Sequence, residues 1–478
     1  VKPARDWGAL FRSLSASPLG FTGVLLVTTS SILFLLLFVL DLLGFLESPY
    51  VGILTFLVLP GVFVLGLVLI PVARFLEARA GRRRLVVDLE HPEHQSRAFI
   101  LFGLTVVNVA ILSLATYRAV EFSDSNTFCG RVCHEVMEPE YTAYLRSPHS
   151  RVPCVSCHIG PGADFFVRYK INGAYQVYSV LANAYSKPIE APVRNLRPAR
   201  ETCEQCHWPA KFHGDKLLVK SRFAEDETNT RNDTVMLLKV GGGSPESGFS
   251  SGIHRHMSLE NKVTFISADR RREDIRWIEV ESLAGEKRVY TKGGEPVSDS
   301  LLAHGERHLL DCIDCHNRPT HIYLAPDDAL DKEFLAGRLD LGLPRLKKLG
   351  MELLTAEYAS KDEALRLIPL RVREFYSTNY PELHEQFRAS VERAGESIRD
   401  VYAGNIFPSM NITWNAYPNQ IGHRDGGGCF RCHAGEHFDA DGNEVSSSCD
   451  ACHTLLAMEE ENPAILKDLF PEGAAPGP

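Results

Sequence analysis

Every cysteine in this chain belongs to a pair that ends in Cys-His. The twelve fall as Cys129/Cys133-His134, Cys154/Cys157-His158, Cys203/Cys206-His207, Cys312/Cys315-His316, Cys429/Cys432-His433 and Cys449/Cys452-His453. Five pairs have the spacing C-x-x-C-H, and the first carries one extra residue between its cysteines. An even cysteine count in an exported chain suits a disulfide framework, but such a framework does not call for a histidine after every second cysteine. Attachment of c-type haem does. Two thiols on one short turn reach the two vinyl groups of a single porphyrin, and the adjacent histidine comes under the ring to the iron. One motif alone would also fit a zinc or redox site; six that use up every cysteine point to haem. The expectation is six covalently bound haem c groups, with these histidines as proximal ligands.

Three long apolar segments, Phe21–Phe45, Val51–Phe75 and Ala98–Val120, occupy the first quarter of the chain. Each exceeds the roughly 20 residues that cross a bilayer as a helix. Pro60 and Pro71 lie in the second, where membrane helices tolerate proline. Lys2, Arg5 and Arg12 precede the first segment, the Glu47-Ser48-Pro49 turn has no basic residue, and six arginines lie between Arg74 and Arg97. An excess of basic residues marks cytoplasmic loops. The N-terminus and the second loop are therefore expected in the cytoplasm of a bacterial inner membrane. Three crossings then carry everything after Glu121 to the periplasm, the compartment of c-type haem attachment. The first segment is too long for a signal-peptide core and lacks a good cleavage site, so it is expected to stay as an anchor. No histidine occurs in the three segments, which leaves no bis-histidine b-type haem among them. His91 and His94 fall in the basic loop and read as solvated.

Charge separates the two parts. Up to Arg97 there are nine Lys/Arg and seven Asp/Glu, and beyond it 42 and 53, so the larger part is near −11. An acidic domain does not suit nucleic acid; membrane lipid, a quinol and periplasmic protein partners suit it better.

The expected fold is mainly α, with little regular structure around the haems. Its parts are a three-helix anchor at 1–120, a four-haem region at 121–322, a haem-free helical segment at 323–405 and a two-haem region at 406–478. Strand-like runs Lys262–Ile266, Ile275–Val280 and Lys287–Tyr290, broken by Gly241-Gly242-Gly243 and Gly293-Gly294, predict a small β-rich insert at about 235–290. After Pro381, the residues Phe387, Val391, Ile398 and Tyr402 make one apolar helical stripe. The tail Gly473–Pro478 is expected to be disordered.

From Ala98 to His321, about half the chain, the sequence resembles the NapC/NirT/NrfH family of membrane-bound quinol dehydrogenases. The resemblance rests on the helix ending at Val120, on Cys129-Gly-Arg-Val-Cys133-His134-Glu-Val-Met137-Glu-Pro139, on Ser147-Pro148-His149 and on His316-Asn-Arg-Pro-Thr-His321. It implies that His149 ligates the fourth haem opposite His316, that His321 ligates the third opposite His207, and that Met137 serves the first. It also implies a lysine for the second haem, where Lys170 stands; His254 and His256, in Gly252-Ile-His-Arg-His256, compete for the same iron. The C-terminal pair is similar to that of the larger inner-membrane cytochromes of metal-reducing bacteria, with His423 and His437 as distal ligands of the fifth and sixth haems in either order. His384 reads as a core residue of its helix. His213, His304 and His308 are each open between ligand and structural roles.

The function implied is quinol oxidation at the first haem, followed by relay through six haems to a periplasmic electron-transfer protein or respiratory complex. Either menaquinol or ubiquinol would serve. Cys129 lies nine residues beyond Val120, which ties that haem to the membrane boundary. Quinol oxidation releases protons, and Glu135, Glu138 and Glu140 are candidate acceptors. Three alternatives remain at this stage: quinone reduction in the reverse direction, a relay subunit without a quinone site, and a terminal reductase with one open haem.

Overall fold

A computed structural model describes residues 17–43, 45, 49–80, 92–160, 163–193, 197–241, 252–257, 261–424 and 427–471. Outside these lie Lys2, Arg5 and Arg12, Glu47 and Ser48, Arg82-Arg83-Arg84 and His91, Gly242 and Gly243, and the Gly473–Pro478 tail. The chain divides into two compact units, Val1–Met137 and Glu138–Pro478. The first haem-attachment turn thus belongs to the membrane unit, and the boundary is later than residue 120.

In the first unit, helix α1 (Pro18–Leu42) is followed by a second span. This begins at Pro49–Ile53, passes through a π-helical turn at Leu54–Val58 and continues as α2 (Leu59–Arg79); the third span is α3 (Pro92–Ser123). All three are long and apolar enough to cross a membrane. Pro60 has no N–H to return to the preceding turn, and the π-helical pitch just before it is the local adjustment that membrane helices use. Helices α1 and α2 approach closely at Gly23 and Gly66: a Cβ at Gly66 would lie 2.8 Å from the Gly23 carbonyl oxygen. Small residues at such a crossing let two backbones touch. A run of aromatic contacts then leads from the spans to the first cysteine turn. Ring centres are 6.4 Å apart for Phe34–Phe56, 5.9 Å for Phe56–Phe122 and 5.4 Å for Phe122–Phe128.

The second unit contains two antiparallel sheets. One has the order β1 (Asp215–Phe223), β2 (Arg231–Lys239), β8 (His453–Glu460). The other runs β6 (Arg307–Leu309), β3 (Asn261–Ser267), β4 (Ile275–Ser282), β5 (Lys287–Lys292), β7 (His437–Phe438). The three runs read from the sequence are β3, β4 and β5. The β structure is larger than the expected insert because hairpin edges leave unpaired N–H and C=O groups. Here β7, between the fifth and sixth motifs, and β8, which begins at His453 of the sixth, cover those edges.

Five helices build the haem-free segment: α6 (Pro326–Leu335), α7 (Leu346–Thr355), α8 (Lys361–Asn379), α9 (Pro381–Gln386) and α10 (Arg388–Asn405), once α4 (His134–Leu145) and α5 (Ala163–Leu181) are numbered before them. Leu330, Leu346, Ile368, Ala394 and Ile398 are fully buried where they meet. Val391, Ile398 and Tyr402 face that core as the stripe predicts, but Phe387 does not. It sits at the break between α9 and α10, outside helical dihedrals and exposed. His384 lies on α9, partly covered, with Nδ1 3.7 Å from Glu385 rather than in the core. The carboxylates of Asp327, Asp328 and Asp331 cluster, yet Arg222 reaches the first two at 2.5 and 3.1 Å and Arg424 at 2.8 and 3.0 Å. Lys347 lies 2.5 Å from Asp331. Three cations already neutralise this cluster, which ties β1, α6, α7 and the C-terminal region together.

Candidate functional site: six attachment turns and facing histidines

Each Cys/Cys-His motif forms or adjoins one tight helical turn, such as Cys154–His158, Cys312–Cys315 and Phe430–His433, while the first, with its extra residue, is π-helical over Phe128–Val132. That wider turn accommodates the longer spacing. None of the twelve cysteines forms a disulfide. Burial pushes the Cys432 thiol up to about 12.

Cys206 departs from the expectation of one compact turn holding both thiols. The helical turn Ala199–Cys203 ends at the first cysteine of its pair, and Cys206 lies beyond it, exposed, in a turn closed by its own N–H to the Cys203 carbonyl at 3.1 Å. The structure gives its thiol no buried seat, so its assignment to haem attachment rests on the motif and not on the structure. The physical reason is that a thioether sulfur is covered by the porphyrin it holds, not by the protein. Cys157, Cys315 and Cys449 are exposed in the same way, each within its own motif.

Three of the turns are braced against one another. The Asp311 carboxylate accepts from Cys312 N at 2.6 Å, capping its own turn, and from Ala199 N at 2.7 Å on the turn leading to Cys203. Arg272 pairs with the buried Asp314 at 2.6 Å, and Arg431 donates to the Arg272 carbonyl at 2.8 Å. Large apolar side chains beside the motifs, Trp208, Leu309, Ile322 and Phe430, are exposed. A porphyrin packed on each turn would cover such surface.

The histidines provide the decisive test of fit. Metal–imidazole bonds are about 2 Å and the ring centre lies roughly 1 Å behind the bonding nitrogen, so two imidazoles across one iron have centres about 6 Å apart. In the second unit five proximal histidines each face one other histidine near that distance. His158 faces His321 at 6.2 Å, His207 faces His149 at 5.9 Å, and His316 faces His254 at 6.5 Å. His433 faces His256 at 5.8 Å, and His453 faces His423 at 6.1 Å. Interplanar angles run from 7° to 75°, which rotation about the shared axis permits.

The second nitrogens support the same reading. Metal-bound imidazoles characteristically donate their other N–H to a carbonyl or carboxylate. Nδ1 of His254, His256, His321 and His433 lies 2.9, 3.0, 3.0 and 2.7 Å from the carbonyls of Val240, Ile253, Glu140 and Ser446. This leaves Nε2 for iron. Burial holds His256 and His321 below the usual imidazole range, favouring the neutral form that ligates metal.

The facing histidines are not the ones the family resemblance implies. His149 faces His207 and not His316; His321 faces His158 and not His207. Lys170 lies on α5, and the place opposite His158 is taken by His321. His254 and His256 do not share one proximal partner. His437 faces no other histidine among the described residues: it is buried in β7 and its Nε2 lies 2.9 Å from the Ile275 carbonyl. His423 faces His453 and stacks on Phe430 with centres 4.2 Å apart. Of the three open histidines, His213 and His304 are exposed. His308 packs on Phe265 in the sheet, and burial lowers its pKa.

The acidic residues expected beside the first haem divide. Glu138 pairs with Lys361 at 2.7 Å. Glu140 pairs with Arg318 at 2.9 Å and reaches His321 Nδ1 at 3.1 Å. Glu140 therefore orients the ligand His321, which explains why the His316-Asn-Arg-Pro-Thr-His321 run contains an arginine: the Arg318 guanidinium also stacks on Tyr417, 3.9 Å from the ring centre. Glu135 is exposed in the first turn of α4. His134 and Met137 are three residues apart on that helix and so share one face.

Comparison with known proteins agrees with this chemistry. Residues 91–192 match the N-terminal region of the NapC/NirT cytochrome c family. The chain is 41% identical over 456 residues to the cytochrome c-type protein ImcH of Geobacter sulfurreducens, covering 93% of this chain and 89% of that protein. No solved structure matches the chain. With the attachment turns, the spans and the kinship in agreement, the chain belongs to the NapC/NirT cytochrome c family and is a membrane-associated c-type cytochrome.

Proposed function

We propose that this protein oxidises quinol at the periplasmic face of the bacterial inner membrane and delivers the electrons, through six covalent haems, to a periplasmic acceptor. The observation that carries the reading is the seat of the first attachment turn. Phe128, next to Cys129, packs through Phe122 on Phe56, so this turn is fixed to the spans themselves. A quinone headgroup held at that boundary would meet it directly. Haem iron supplies reversible one-electron chemistry, with a potential set by its axial ligands. The chain supplies the thiols and imidazoles that hold each group and the aromatic seat at the membrane. Glu135 is the carboxylate left to accept protons there, since Glu138 and Glu140 are engaged in ion pairs.

Orientation has its own check. A reporter fused after Arg84 is expected in the cytoplasm and one at Pro478 in the periplasm; the opposite labelling would end the periplasmic reading. The entry point is tested by Met137→His. A thioether favours reduced iron more than imidazole does, so the variant should lower the potential of one haem and slow reduction by a menaquinol analogue in stopped flow. The other five should titrate as before. A variant that titrates and reduces like the parent would make Met137 a packing residue and remove it from the entry site.

A further inference from the structure

We infer that the single turn Gly252–Met257 holds two irons at once: His254 is the distal ligand of the haem bound by His316, and His256 that of the haem bound by His433. The inference rests on the six-haem reading above, though not on quinol as the donor. Neither the four-haem pattern nor a competition of the two histidines for one iron produces it.

The geometry is specific. Ile253–Met257 is a 3-10 turn, in which successive residues are about 120° apart, so positions two apart point in different directions. The two rings accordingly face different proximal histidines, at 6.5 and 5.8 Å. Each has its Nδ1 fixed by a carbonyl, Val240 for one and Ile253 for the other. Phe212 packs on the His254 ring with centres 4.6 Å apart. Between them Arg255 is exposed, while Met257 is buried and reached by Arg200.

The turn is also anchored beside the sixth motif. Gly252 has φ +86°, and a Cβ there would lie 2.3 Å from the Lys239 carbonyl oxygen, so only glycine admits the chain so close to the end of β2. Lys239 in turn donates through its backbone N–H to the Cys452 carbonyl at 2.8 Å. One short segment thereby links the fourth attachment site, inside the four-haem region, to the C-terminal pair. Electron passage from one set to the other would depend on it.

The test uses the full chain with intact mass confirming six haems. His254→Gly and His256→Gly should each add one haem that binds carbon monoxide when reduced, relative to the parent, and the double variant two. Free imidazole should close each of them again. Opening of only one haem in the double variant would mean a shared iron, and no opening with six haems attached would mean that neither histidine is a ligand; both outcomes overturn the inference. A mass short of six haems in the parent would instead strike at the haem count. Should the glycine variants fail to accumulate, His254→Met and His256→Met replace them. Methionine at a ligand position keeps ferric haem six-coordinate and adds its far-red sulfur-to-iron absorption band; absence of that band overturns the assignment.

Discussion

Replacing His321 by leucine is expected to convert one six-coordinate haem per chain into an open, carbon monoxide-binding one, while Lys170→Leu opens none. His321 is the only imidazole facing His158 among the described residues, with ring centres 6.2 Å apart. Its second nitrogen is held by the Glu140 carbonyl at 3.0 Å and lies 3.1 Å from that residue's carboxylate. Leucine fills similar volume but offers iron nothing, so the loss is of ligation rather than of packing. The paired variants separate two accounts of the second haem. If a lysine ligates it, as the family resemblance implies, Lys170→Leu opens a haem. If the structure's pairing holds, only the His321 variant does. Ferrous carbon monoxide difference spectra, counted per haem, decide between them.

A second large effect is expected far from any haem. Lys347 is 1% exposed and its ammonium lies 2.5 Å from Asp331 and 2.7 Å from Asp327. Asp331 is itself buried and accepts from Phe223 N at 3.1 Å, so the pair joins α6 and α7 to the β1 strand. Removing one partner of a buried ion pair leaves an uncompensated charge, at a cost of about 3–5 kcal/mol. Lys347→Met should therefore lower the denaturant midpoint of the helical segment sharply. Adding Asp331→Leu removes the orphaned carboxylate and should recover most of that loss. A single variant as stable as the parent would show that the pair contributes little.

The two levels of the site differ in how far the sequence reveals them. The attachment signal is local: two thiols and a histidine stand close together in each motif, and their sixfold recurrence with no cysteine left over, not any one motif, points to haem. The membrane spans were readable for the same reason, since length and apolarity are properties of contiguous residues. Distal ligation is not local. His256 meets His433 only because β2 and the Gly252 turn bring distant segments together, and nothing in the spacing of His254 and His256 names their partners. The resemblance points to other partners for His149 and His321, whose facing histidines are set by tertiary packing. The similarity of the C-terminal pair to larger cytochromes implies His437 as a ligand, whereas in the structure its Nε2 lies 2.9 Å from the Ile275 carbonyl in the sheet. Glu140 was read as a proton acceptor because it follows Met137 in sequence; its partner Arg318 lies far along the chain. The helical stripe failed only at Phe387, where the chain bends between two helices that the periodicity read as one.

The central claim is that this chain takes electrons from quinol by itself. The direct measurement is anaerobic mixing of the purified full-length protein, shown by intact mass to carry six haems, with a menaquinol analogue in lipid nanodiscs, followed by the haem absorption bands. The account predicts haem reduction without any added protein, slowed in the Met137→His variant. Haems that dithionite reduces but quinol leaves oxidised would contradict it.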